Sequence, residues 1–267
     1  MLGSVFAKSL RDVRRSFAWW SLGLAGYVAL IVAVYPTIRD NPDLNELVES
    51  YPDALKAFIA FGGRLDFTSA AGYLGSELFA FMIPALFLVA SIGNGAGTIA
   101  GEEERGTLDL LLSAPLSRTR VAVEKLGAMC VELAGLGLVL WLALWIGARV
   151  FGMDVAARHL AAAVVVLVVL AAAYGSIAFT LAAATGRNAL AVGVTVALAV
   201  AAYLVNSLAS LVDALQPFRT LSPYYHYAAA DPLREGLDPW HTLFLLVVGA
   251  AAASVGVVLF ARRDVGT

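Results

Sequence analysis

Charge is scarce in this sequence. Only 14% of the residues are Asp, Glu, Lys or Arg, against about a quarter in a water-soluble domain. With 60% hydrophobic residues and a mean hydropathy of +0.81, too little polar surface remains to clothe a soluble globule. The class is integral membrane protein. Cysteine is limited to Cys130, which excludes an internal disulfide and any CxxC metal site and leaves a small packing residue inside a helix. There is no GxxxxGK[ST] loop and no Walker-type acidic strand, so this chain does not hydrolyse ATP in the P-loop manner. No basic stripe with interleaved aromatics marks a nucleic-acid groove. HExxH is missing as well, and His159, His226 and His241 stand far apart in the chain. With no internal repeat or low-complexity linker, residues 1–267 read as one domain.

The stretches free of Asp, Glu, Lys and Arg are 16–38, 78–101, 133–148, 159–186, 188–212 and 239–261. A spanning helix needs about 20 mostly apolar residues. Five stretches qualify outright, and 133–148 qualifies once it is extended back through Glu132 to Val121. The expectation is an all-α protein with six transmembrane helices, near 17–38, 72–99, 121–148, 159–185, 189–212 and 240–261. The first apolar run is too long for a signal core and has no clear small-x-small cleavage site after it. It is read as a retained helix.

The positive residues orient the bundle. With the N-terminus inside, eleven Lys and Arg fall on inner segments and seven on outer ones. Both termini, and the loop 101–120, are then cytoplasmic in a multi-pass plasma-membrane protein. Residues 1–15 form an interfacial helix, apolar on one face and basic on another. Leu44, Leu47 and Val48, then Leu55, Phe58 and Ile59, suggest two short outer helices. Pro84 should kink the second span. The segment 213–238 is too polar to span and too aromatic for a plain loop. Short helices or a re-entrant turn are expected there.

The loop 101–120, GEEERGTLDLLLSAPLSRTR, interrupts this apolar sequence with charge. Thr107 can cap a short helix, Asp109 suits its first turn, and Leu108, Leu111 and Leu112 share one face. Pro115 ends it. A helix over about 104–113 therefore shows an apolar face that needs either this protein's own helices or a partner to bury it. Among ionisable residues near the spans, Glu124 and Lys125 can snorkel to the inner interface, and Glu77 belongs near the outer one. Glu132 lies about two turns deeper and is the best candidate for a functional acid. Tyr203 and Asn206 on the fifth span could line a translocation path or bond between helices.

The run Glu102-Glu103-Glu104-Arg105-Gly106-Thr107-Leu108, followed by Leu111-Leu112, Pro115-Leu116-Ser117-Arg118 and Lys125, resembles the signature of ABC-2 type transporter permease subunits. The basic N-terminal helix, the six spans and the SPYY…DPLREGL stretch agree with that family's pattern. The resemblance implies a type V exporter-like fold in which 101–120 is the coupling helix. Glu102, Glu103, Glu104, Gly106, Thr107, Leu108, Leu111, Leu112 and Pro115 would then meet an ATP-binding subunit. It further implies a pair of permeases, either two copies of this chain or one with a homologue, and two ATP-binding subunits that hold ATP and Mg. The chain itself is then no enzyme and carries no cofactor. The apolar, Ala-rich helices suit a lipophilic small molecule or drug as cargo.

Two rivals are weaker. A glutamate-dependent membrane peptidase needs EExxxR, but the two possible registers place Thr107 or Leu108 at the arginine. A secondary transporter usually shows repeats and midplane ion sites, and here it would rest on Glu132 alone.

Overall fold

The computed structural model describes residues 5–41, 50–52, 55–56, 66–106 and 117–263. Among them every regular element is helical, and six helices are long and apolar enough to cross a bilayer. The chain is an all-α integral membrane protein. The two short outer helices expected between 39 and 70, and the coupling helix from Thr107 onward, fall largely or wholly outside the described residues.

The first helix, α1, runs unbroken over Val5–Arg39. The basic stretch expected as a separate interfacial helix is its first three turns. The sequence explains the continuity, because no Gly or Pro occurs between Val5 and Gly23 to interrupt the hydrogen-bond ladder.

The second span is segmented. It comprises α2 (Ala70–Leu74), a wide π turn at Gly75–Phe79, a break, α3 (Met82–Ala96), a second π turn at Gly97–Gly101 and a last helical turn at Glu102–Glu104. The break lies at Phe81, whose φ and ψ are −145° and −54°. Pro84, in the first turn of α3, is its cause. A proline has no N–H to give the carbonyl four residues back, and its ring crowds that carbonyl. Here that carbonyl belongs to Ala80.

The freed carbonyls find donors in the segment 213–238. After α4 (Arg118–Val150), α5 (Ala157–Thr185) and α6 (Asn188–Leu208), the chain makes two short helices, α7 (Gln216–Arg219) and α8 (Pro223–Ala228). Ser222 caps α8 and Pro223 opens it, which sets Tyr224 and Tyr227 three residues apart on one face. Tyr224 donates its hydroxyl to the Ala80 carbonyl, and Tyr227 donates to the Phe79 carbonyl at 2.9 Å. Both tyrosines are buried, so α8 is tucked into the bundle at the Pro84 break. The final helix, α9, is Pro239–Arg262, with Asp238 capping its first turn.

Helix α5 is the centre of the bundle. Of its span, 67% is buried, and α3, α4, α6 and α9 all pack on it. Small residues let these backbones approach. A Cβ on Gly95 of α3 would collide with the carbonyl of Gly175 of α5, and one on Gly256 of α9 would lie 2.7 Å from the Phe179 ring. Gly186, at φ +66°, ends α5 in the left-handed conformation and turns the chain directly into α6.

Tyr227→Phe removes the hydroxyl that donates to the buried Phe79 carbonyl. It should cost about 1–3 kcal/mol and lower the detergent-solubilised melting temperature, whereas Phe218→Tyr, at an exposed position, should not.

Candidate functional site

At the end of the bundle that carries most of the Lys and Arg, the second span finishes in three glutamates. Successive residues on one helical turn point about 100° apart, so three in a row cannot share one neighbour. Each has its own. Glu102 pairs with Lys125 of α4 at 2.7 Å. Glu103 pairs with Arg263, just past α9. Glu104 accepts the backbone N–H of Asn188, the first residue of α6, at 2.9 Å. Arg263 also donates to the carbonyl of Ala183 at 3.0 Å, satisfying the C-terminal end of α5. Arg118, opening α4, donates to the Arg263 carbonyl. This end of the second span is thus tied to α4, α5, α6 and α9.

Lys125 does not snorkel as its position suggested. It is 3% exposed, held by Glu102 and by the Thr98 carbonyl at 2.7 Å. The second π turn, Gly97–Gly101, contains that carbonyl. Glu124, its neighbour in sequence, faces the other way. It accepts the Phe6 backbone N–H at 2.9 Å at the first turn of α1 and pairs with Arg120 at 2.7 Å.

Between α1, α3 and α4 lies a cleft of about 400 Å³. Asp12, Glu102, Arg105 and Lys125 line it toward the glutamate end of the bundle, and Trp20, Asn94, Met129 and Glu132 line it further along their helices. Glu132 accepts the side-chain amide of Asn94. Thr98 in turn donates to the Asn94 carbonyl at 2.5 Å. Glu132 is therefore a membrane-depth acid facing a protein cavity.

The sequence-derived site residues separate. Glu102, Glu103, Glu104 and Gly106 form the stem of the loop. Thr107, Leu108, Leu111, Leu112 and Pro115 lie outside the described residues. Glu132 lines the cleft, but Tyr203 and Asn206 do not. Tyr203 stacks edge-on with Tyr224, 5.0 Å between ring centres, and lies 5.4 Å from Phe81, roughly 20 Å along the second span from Asn94. Asn206 lies one turn further along α6, toward the same end of the bundle. Glu77 is exposed on the first π turn. Cys130 is exposed on α4 rather than packed.

Sequence reasoning missed Asn94 and Asp12. Asn94 and Thr98, one turn apart in a charge-free stretch, were the available signal. It also set the histidines apart, whereas His226 and His241 meet with their Nδ1 atoms 2.9 Å apart. His226 Nε2 lies 2.8 Å from the Thr220 carbonyl and therefore carries the proton. The ring stacks on Phe244. Burial, with help from His241, pushes the His226 pKa down against the opposing Thr220 contact. Among the described residues no group of three or more His, Cys, Asp or Glu could hold a metal ion.

The chain matches, over residues 2–261, the family described as the C-terminal domain of the multidrug efflux system permease Rv1217c. No curated protein matches it.

Two outcomes follow from this geometry. Glu102→Gln leaves Lys125 buried without its counter-ion and should cost about 3–5 kcal/mol. Adding Lys125→Met should recover part of that loss in the same thermal-unfolding assay. A His226 pKa below the usual value means that the unfolded chain takes up the proton first. Stability is then present above the ordinary histidine pKa and lost as pH falls below it. Wild type should melt earlier on acidification, and His226→Gln should flatten that dependence.

Proposed function

This chain belongs to the multidrug efflux permease family, and we propose that it is the permease subunit of an ATP-driven exporter of the ABC-2 type. In this reading residues 101–120 are the coupling element and face the cytoplasm, as do both termini. A separate ATP-binding subunit, present in two copies, holds ATP and Mg and docks on the leucine face. The second permease is another copy of this chain or a homologue. The cargo is a lipophilic small molecule or drug.

The observation that carries the reading is the stem of the loop. A merely solvated loop has no need of three carboxylates bound to three helices. A loop that receives a push does, because displacement at 107–116 must reach the bundle without dissipating. Glu102, Glu103 and Glu104 make the base of the loop one body with α4, α6 and α9. Closure of two ATP-binding subunits would shift the two loops, and the attached helices would turn as units. The segmented second span supplies the compliance, with π turns above and below α3.

The test is purification of the full chain from native membranes, followed by identification of co-purifying chains. A P-loop ATPase in equal proportion is expected. Leu108→Asp with Leu111→Asp should abolish its retention and drug export while the permease remains folded. Retention with intact export would remove the coupling assignment.

A further inference from the structure

We propose that the cleft between α1, α3 and α4 is a binding site for a lipophilic monocation, with the Glu132 carboxylate as the anchor of its charge. This deepens the export reading and rests on it for the identity of the cargo.

The cleft exists because side chains are missing where three helices meet. On the wall formed by α3 and the π turn after it, Ala90, Gly93 and Gly97 recur at helical spacing. A Cβ built on Gly93 or Gly97 would have nothing within 4 Å. These glycines therefore do not serve close helix approach, as Gly95 does one face away. They leave space. At about 400 Å³, that space lies in the range that holds a drug-sized ligand.

Its charges are sorted by depth. Toward the glutamate end, Lys125 is already neutralised by Glu102 at 2.7 Å, and Arg105 and Asp12 are also among the lining residues. Glu132 lies seven residues further along α4 than Lys125, roughly 10 Å deeper by helix rise. Among the described residues no Lys, Arg or His pairs with it; its partner is the neutral amide of Asn94. A carboxylate at this depth favours a cation beside it. The lining also includes Trp20, Val89 and Met129. It offers an aromatic face and a polarizable thioether to an apolar cation. Neither an anion nor a strongly hydrated sugar fits that combination.

The probe is radiolabelled tetraphenylphosphonium, applied without ATP to the full chain in nanodiscs, with empty nanodiscs as the lipid background. Triphenylphosphine oxide, which is uncharged, is the control ligand. Wild type should bind the cation saturably. Glu132→Gln keeps an acceptor for Asn94 and should weaken the cation at least tenfold while leaving the neutral ligand within twofold. Gly97→Leu, which projects into the open space, should lose both. Absence of saturable cation binding in wild type would overturn the proposal. So would a Glu132→Gln variant that binds the cation as wild type does, or one that loses both ligands equally. Because the assay contains no ATPase, such a failure leaves the coupling reading standing, and loss of the ATPase partner would leave this site untouched.

Discussion

A carboxylate withdrawn from water is stable only where cations or N–H groups replace its hydration. Glu102 and Glu103, partly buried, meet that constraint through Lys125 and Arg263, and the exposed Glu104 adds a third link by accepting the N–H of Asn188. Much of the basic end of the bundle is arranged around them. Lys125 is tolerated inside because Glu102 is there. Arg263 reaches across to close α5 because Glu103 fixes its position. The start of α6, only two residues after α5 ends, receives its missing acceptor from Glu104. Removing the charges would free the stem of the loop and leave a buried cation behind.

The opposite end depends on a different device. Pro84 breaks the second span and would leave carbonyls without donors in a medium that cannot supply any. The tyrosines of α8 supply them. A proline in one helix and an aromatic turn about 140 residues later are thus parts of one joint. Between the two ends, glycines play two opposed roles on the same helix. Gly95 lets α3 touch α5, and Gly93 and Gly97 hold a cavity open beside it. The second span is therefore anchored at one end, jointed at the other and hollowed along one side.

Much of this architecture is legible in the sequence because lipid imposes a simple rule on composition. The six spans follow from charge-free stretches, and their ends fall within a few residues of the helices seen, except that the first helix begins at Val5 rather than 17. The fifth, expected to 212, ends at Leu208, where the chain begins its turn into α7. Pro84 marked the break, though the geometry displaces it toward Phe81, because the carbonyl that a proline disturbs lies four residues earlier. Tertiary destinations are not legible in this way. A run of three glutamates looks alike whether it faces a partner protein or its own helices. Lys125 looks free to snorkel until Glu102 is folded over it. His226 and His241 are separated by a stretch whose compact turns bring their rings together. Asn94 passes for an incidental polar residue until Glu132 is set opposite.

In the proposed coupling the glutamates transmit movement rather than merely stabilise the bundle. The direct measurement uses the permease reconstituted in vesicles with the proposed ATP-binding partner, comparing wild type with Glu103→Gln/Glu104→Gln, which spares the Lys125 pair. ATP hydrolysis and drug export are recorded together. If the links transmit, the variant keeps the ATPase bound and hydrolysing while export per ATP falls by at least tenfold. Export that stays proportional to hydrolysis in the variant would contradict the account.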